Sequence, residues 1–427
     1  MAIYYVDSVC GKQENDGLSE KTPKNHYRGL DIKPGDTVLI KAGSNFRDCL
    51  ASPDGEENAR ITWDMYGEGN KPEFLGSVNI SDKSLWKQTA DKNIWQWDGS
   101  FPNDVCNLIF NGGEACGVLA WEYTDLDAQG KWHYTHMGFD CPGRTIPDYL
   151  ADKPKVLYIY SEKNPGEYYD DIECAVFGHR CLLAAKKHVT INNMSCKYSG
   201  VHAYGQSFVK DVTIKNCEFR FIGGCVWDRI QRIRFGNGME IWEYGEDFTL
   251  ENCYFDQVYD SCTTHQGFIN ENPCLRINIV GNIFKNYGMA AYELRDRIAL
   301  DTHFDGNVCI GAGRGFSLQG ETPPRKSELW PQPMGHHLFI WRIYAPTENG
   351  CITVRNNVFH DAPYGAAVYS TIDPEAEKQL RFENNVYYKD EDTYLVRLGG
   401  RNYGKGEFSK YQSEQNNDRG SRVEKIF

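Results

Sequence analysis

No apolar stretch of this 427-residue chain approaches the roughly 18 residues of a membrane span. The opening Met1–Asp7 has neither the basic nor the apolar segment of a secretory leader. The expected location is therefore cytoplasmic, or secreted if a leader has been removed. Basic charge is in deficit, with 46 Lys and Arg against 59 Asp and Glu and a formal net charge of -13. Such a surface repels phosphate backbones and anionic lipid, so neither nucleic acid nor a membrane is an expected partner. There is no P-loop, no dinucleotide fingerprint after a strand and no nucleophile elbow. The fifteen Cys are scattered from Cys10 to Cys351 without a CxxC, and the odd number leaves at least one unpaired. They read as reduced thiols serving as small core residues in a reducing compartment, with no metal site.

What is present is ordinary globular composition, 41% hydrophobic and 25% charged, with an aromatic share of 13% that includes 26 Tyr and 10 Trp. Within it a repeat stands out. His188–Asn193 recurs as Asp211–Asn216 and Asp247–Asn252, then in segments ending at Asn282, Asn307, Asn357 and Asn385. Each unit is a short alternating strand that ends at an Asn and continues into an apolar residue. No segment of helical period lies between the units. Strand-only repeats with spacings in the twenties, lengthened by insertions, predict an all-β parallel β-helix in which equivalent residues stack in columns. An Asn at each bend is expected to bond the backbone of the next coil.

The opening is less regular. Val6-Asp7, Asn15-Asp16-Gly17, Thr22-Pro23 and Lys33-Pro34-Gly35-Asp36-Thr37-Val38 resemble the first coil of right-handed parallel β-helix carbohydrate-active proteins, glycoside hydrolase-like members of the pectate-lyase-like superfamily fold. Phe110–Ala115, Leu126–Trp132 and Leu157–Tyr160 resemble the antiparallel subdomain inserted in β-helix glycosidase-like proteins. The resemblance spans nearly the whole chain and implies the fold rather than one reaction, because lyases, hydrolases, transferases and epimerases share this scaffold. The expected organisation is N-terminal coils and cap over 1–60, an inserted or irregular β subdomain over 61–175, the helix core with the catalytic face over 176–400, and a polar, loosely held cap or tail over 401–427.

Alternation along the strand after each Asn assigns an inward apolar set: Val201/Ala203, Met239/Ile241, Met289/Ala291 and Phe316/Leu318. The outward set is then His202/Tyr204, Glu240/Trp242, Ser261/Thr263, Ala290/Tyr292 and Ser317/Gln319. Tyr204, Trp242 and Tyr292 would form one aromatic column for sugar faces. Glu243 and Glu293 would share the adjacent column two coils apart, about 9–10 Å between backbones. That spacing suits an inverting acid/base pair. Glu240 and Asp260 are the alternates. His265, or Thr264 if the register slips by one, would lie between the pair and tune it. His202, Arg295, Asp296 and Gln319 complete the expected substrate contacts. Insertions at 224–237 and 321–349 would wall this face into a cleft. The segments Asn237–Trp242, Tyr259–Gln266 and Tyr292–Arg297 also resemble recurrent segments of β-helix glycosidase-like proteins.

Three functions compete. A glycoside hydrolase acting on an oligo- or polysaccharide needs paired carboxylates and no cofactor. A polysaccharide lyase would need Arg229, Arg232, Arg234 or Arg295 with His265, or Ca²⁺, to act on a uronate. A non-catalytic carbohydrate-binding protein would use the aromatics alone. The acid-rich face favours hydrolysis, with a carbohydrate as partner and a monomer or homo-oligomer both compatible. His336-His337, read as part of a loop, and Asp170, Asp171 and Glu173 lack the further ligands a metal would need.

Overall fold

The computed structural model describes residues 1–141, 143–178, 181–267, 272–318, 335–389 and 394–426. The molecule is built on two long sheets of predominantly parallel strands, one of eighteen strands and one of ten. Each repeat supplies three strand segments. Ser261–Gln266, Leu275–Val280 and Ile283–Tyr287 follow one another in the chain. Each pairs in parallel with its counterpart in the next repeat: Ala290–Arg295, Thr302–Asp305 and Val308–Ala312. Where insertions are short the chain bends without breaking the ladder, as in the long strands His202–Lys215 and Met239–Glu251.

The stack starts earlier than the repeat suggests. Ile3–Val6 pairs with Thr37–Lys41, which pairs with Ile61–Tyr66. That strand then pairs with Lys187–Asn192, so residues 61–66 belong to the parallel stack and not to the irregular segment. Residues 77–176 contribute two smaller sheets with mostly antiparallel pairing, exemplified by Val105–Phe110 against Ile172–Val176 and Lys131–Tyr134 against Leu157–Tyr160. These carry a separate core around Trp86, Trp97 and Trp132. The C-terminal stretch is tied down. Helix Phe408–Gln415 buries Phe408 and Tyr411, and Arg422–Glu424 pairs with Val386–Tyr388.

The Asn repeat hides two positions. Asn193, Asn216 and Asn252 sit at a left-handed corner, with φ of 57°, 53° and 53°, and are followed by the buried Met194, Cys217 and Cys253. In the later coils Gly281, Gly306, Asn356 and Asn384 take that corner, with φ of 66°, 65°, 57° and 55°. Asn282, Asn307, Asn357 and Asn385 then point inward and are fully buried. They form the expected ladder: Asn282 N–H donates to Asn307 Oδ1 at 2.9 Å, Asn307 N–H to Asn357 Oδ1 at 2.8 Å and Asn357 N–H to Asn385 Oδ1 at 3.0 Å. Each carboxamide also donates to the coil before it, as Asn307 Nδ2 does to Ile279 O at 2.9 Å. All fifteen cysteines are unpaired thiols and only Cys10 is exposed. Among the described residues no helix is long and apolar enough to cross a membrane.

Candidate active site

Four neighbouring strands set the geometry. Register places Glu240 beside Thr264, Thr264 beside Glu293 and Glu293 beside Phe339. The flanking columns, Tyr204–Met239–Thr263–Tyr292–Leu338 and Ile241–His265–Leu294–Ile340, are buried. Alternation therefore turns Glu240, Thr264 and Glu293 to the outer face. Glu240 and Glu293 are two coils apart, about 9–10 Å between backbones. The column continues through Phe339 to Tyr369 and Arg397. Next along the same face, Trp242 aligns with Gln266 and Arg295 with Trp341.

The two carboxyls have different surroundings. Glu293 is only 2% exposed. Its Oε2 accepts from Ser261 Oγ at 3.1 Å and its Oε1 from Trp341 Nε1 at 2.8 Å. Burial, and then the charge of Asp260, push its carboxyl up to about 7 against the opposing Arg295 and these two donors. Glu240 is less enclosed. Its Oε2 accepts from Asn237 Nδ2 at 2.7 Å and lies 3.4 Å from His202 Nε2. His202 Nδ1 accepts the Asn237 N–H at 3.0 Å, which leaves Nε2 to carry the proton toward Glu240. Asn237 Oδ1 accepts from Ser261 N–H at 3.0 Å, so one buried carboxamide positions both the Glu240 carboxylate and the strand that supports Glu293. Between the carboxyls, Thr264 Oγ1 is buried with no hydrogen-bond partner among the described residues. A hydroxyl left so costs about 1–3 kcal/mol, which a bound water or sugar hydroxyl would offset.

Several expected site residues lie elsewhere. Tyr204, Tyr292 and His265 are in the core, not on the outer face. Tyr204 Oη donates to Ala185 O at 2.8 Å, and Tyr292 stacks on Phe304 with ring centroids 5.2 Å apart. His265 bonds Tyr292 Oη, and burial holds its imidazole down at about 4. The cause is a corner. Ala203-Tyr204, Cys262-Thr263, Ala291-Tyr292, Ala367-Val368 and Leu395-Val396 are consecutive pairs that are both buried, so strict alternation counted across the bend inverts the face. Thr263 is inward for the same reason and donates to Ala291 O at 2.7 Å. Met289 and Ala290, by contrast, pack with the outer-face Phe339.

Glu243 does not share a column with Glu293. It sits one residue past Trp242 at a left-handed corner (φ 71°), and Asp296 occupies the equivalent corner after Arg295 (φ 72°). Asp296 is held by Arg295 Nε at 3.1 Å and Arg342 Nε at 3.7 Å. The Arg295 guanidinium also lies over the Trp341 ring at 5.1 Å. Trp242 is outward as expected. Gln319 and the first part of the 321–349 insertion, residues 321–334, lie outside the described residues. The 224–237 insertion is a hairpin of Cys225–Asp228 and Ile233–Phe235, whose Phe235 ring lies against His202 with centroids 5.8 Å apart.

Besides Trp242, the face carries aromatic residues that sequence reading passed over: Phe339, Trp341 and Tyr369. Phe339 and Trp341 stack with centroids 5.3 Å apart. They belong to strand His336–Trp341, not to a loop, and the alternation of that strand was the available signal. His336 and His337 are buried within it, His337 bonding Tyr287 Oη. Glu173 is engaged by Arg47 at 2.7 and 2.8 Å.

No family model matches the chain. A lacto-N-biosidase of Bifidobacterium longum subsp. longum is 32% identical over 99 residues, which take in 21% of this chain and 6% of that protein. A solved glycoside hydrolase superposes with a TM-score of 0.52 at 10% identity, covering 99% of this chain and 96% of its own. A GH136 lacto-N-biosidase from Eubacterium ramulus is more distant, with a TM-score of 0.38 at 13% identity over 100% of this chain and 68% of that one. With its strands stacked in parallel register coil upon coil, the chain has the fold of the parallel β-helix carbohydrate-active proteins.

Proposed function

We propose that this protein is a glycoside hydrolase acting on an oligosaccharide, with Glu293 as the acid and Glu240 as the base. The observation that carries this reading is the unpartnered Thr264 hydroxyl, which lies between two carboxyls of unlike environment in one register column. With its carboxyl pushed up to about 7, Glu293 keeps a proton at neutral pH that it can donate to the leaving glycosidic oxygen. Glu240, held by Asn237 and facing the His202 Nε2–H, is the ionised partner. As the C–O bond breaks, water attacks the anomeric carbon and gives its proton to Glu240, while the Glu293 proton goes to the departing alcohol. A separation of two coils leaves room for that water, so the anomer inverts. Trp341 and Tyr369 offer ring faces for the sugar, with the buried Phe339 packed against both. Around this site we infer that the stacked strands close into a right-handed solenoid, the hand that parallel crossovers take.

The lyase reading is weaker because three of the four arginines it could draw on are engaged, and the fourth, Arg232, lies over the Trp121 ring at 5.9 Å. Arg234 donates to the carbonyls of Gly224 at 2.7 Å and Cys106 at 2.9 Å, Arg229 to Thr135 O at 3.1 Å, and Arg295 to Asp296. The test is an assay of the purified chain on aryl glycosides, beginning with lacto-N-biose because of the local likeness to a lacto-N-biosidase. Glu293→Gln and Glu240→Gln are each expected to lower kcat by about 10²–10⁴-fold. The first-formed anomer, read by NMR, is expected to be inverted. Full activity in both variants would reject the pair, and an unsaturated, ultraviolet-absorbing product would establish elimination instead.

A further inference from the structure

We propose that Asp104, Cys141 and Cys225, with Cys106 beside them, form a structural zinc site that pins the 224–237 hairpin to the body of the protein. This inference stands independently of the hydrolase reading. The carboxylate oxygen and the two sulfurs lie within 4.8 Å of one another, and all three residues are buried. Cys225 also interacts with Cys106, whose Sγ is 3.5 Å from Asp104 O. Two thiols and one carboxylate, with a third thiol beside Cys225, are a donor set that suits Zn²⁺ better than the hard cations, which take oxygen.

A second observation points to a ligand. Asp104 is fully buried, and its Oδ2 accepts from Gly138 N–H at 2.6 Å and Cys141 Sγ at 3.4 Å, while its Oδ1 has no hydrogen-bond partner among the described residues. A bare carboxylate oxygen among thiols is costly unless it is protonated or meets a cation. Burial raises this carboxyl to about 7 when no ion is there. The thiols are raised as well, so each would release its proton as the metal binds, and affinity would fall in acid. Arg144 lies where it can offset the resulting negative charge: it acts on both Asp104 and Cys141, and its Nη1 donates to Gly138 O at 2.6 Å.

The position explains what the ion would do. Cys106 is on the strand Val105–Phe110, Cys141 follows the strand Lys131–Tyr134, and Cys225 opens the hairpin. The hairpin's neck is pinched, since a Cβ on Gly236 (φ 139°) would meet Gly223 Cα at 2.2 Å. A shared ion at that neck would fix the hairpin that runs into Asn237 and so into the site.

The experiment is metal analysis of the full chain purified without chelator, followed by replacement with Co²⁺ in reduced, metal-stripped protein. One equivalent of zinc and the intense thiolate-to-Co²⁺ charge-transfer band of a tetrahedral site are expected. Cys141→Ser combined with Cys225→Ser should abolish both signals, Asp104→Asn should weaken Co²⁺ binding at least about tenfold, and Cys10→Ser should change neither. Wild-type protein that carries no zinc and gives no charge-transfer band overturns the proposal, even if the variants do not fold. A Cys141–Cys225 disulfide, or metal retained in the folded double variant, overturns it equally.

Discussion

Replacing Glu293 by Gln should do two opposite things: remove catalysis and stabilise the fold at alkaline pH. In the native state the carboxyl is pushed up to about 7 from an ordinary 4.5, chiefly by burial. A group whose native pKa is raised holds its proton more tightly when folded. Its contribution is therefore fully favourable below the unfolded value near 4.5 and is lost as pH rises through 7. At about 1.4 kcal/mol per unit, the penalty carried by wild-type protein above pH 7 is on the order of 3 kcal/mol. Gln is close in shape. Its carbonyl can accept from Trp341 Nε1 and its amide can donate to Ser261 Oγ, so the bonds at 2.8 and 3.1 Å survive. Denaturant or thermal midpoints of wild type and Glu293→Gln, compared across pH 4.5 to 8.5, should coincide at the acid end. They should diverge in favour of the variant as pH rises, while kcat at the optimum falls by about 10²–10⁴-fold. A variant less stable than wild type by the same margin at every pH would refute the reasoning, because a lost contact has no titration.

The remaining predictions concern neighbours of that group. Asp260→Asn removes a negative charge that helps raise Glu293 and should move the alkaline limb of the kcat/KM profile down; Trp341→Phe removes a donor that lowers it and should move the limb up by about 1–2 units, a hydrogen bond to a charged group being worth about 1.5–3 kcal/mol. Limbs that stay put, or shift in the same direction, would count against Glu293 as the titrating acid. Thr264→Val should leave stability unchanged or slightly improved, since the hydroxyl has no partner among the described residues, yet lower kcat/KM about tenfold or more if that hydroxyl meets the substrate. Asn307→Ala strands the Asn282 N–H and Ile279 O in the core and should destabilise by about 2–4 kcal/mol in urea melts. Tyr292→Phe, a core change, is expected to leave KM within about twofold; a large KM effect would return that ring to the substrate face.

Much of the site's chemistry was legible from residue types, and its geometry was not. Acids on an outward strand face of coils two to four pointed to Glu243 and Glu293 as the pair, with Glu240 and Asp260 as alternates, whereas the register puts Glu240, not Glu243, two coils from Glu293 in one column. Glu243, the residue expected to share a column with Glu293, stands three residues beyond Glu240 on a left-handed corner that leaves no mark in the hydrophobic pattern. The Asn repeat set the stacking direction, but Asn252 and Asn282 occupy different positions, one on the corner and one inside it, so aligning on the letter shifts the coils by one.

The sequence by itself determined the architecture, because a strand repeat without helical segments has few ways to bury its apolar side except against copies of itself. It also determined the Asn ladder, since a carboxamide offers both a donor and an acceptor to the coils on either side. Only the tertiary structure decided which face each strand residue takes. At a corner two consecutive side chains turn inward, so Tyr204 and Tyr292 are core while Phe339 lies with Glu293 on the outer column. It alone brought Asp104, Cys141 and Cys225 together from three distant segments, a proximity that chain spacing does not encode.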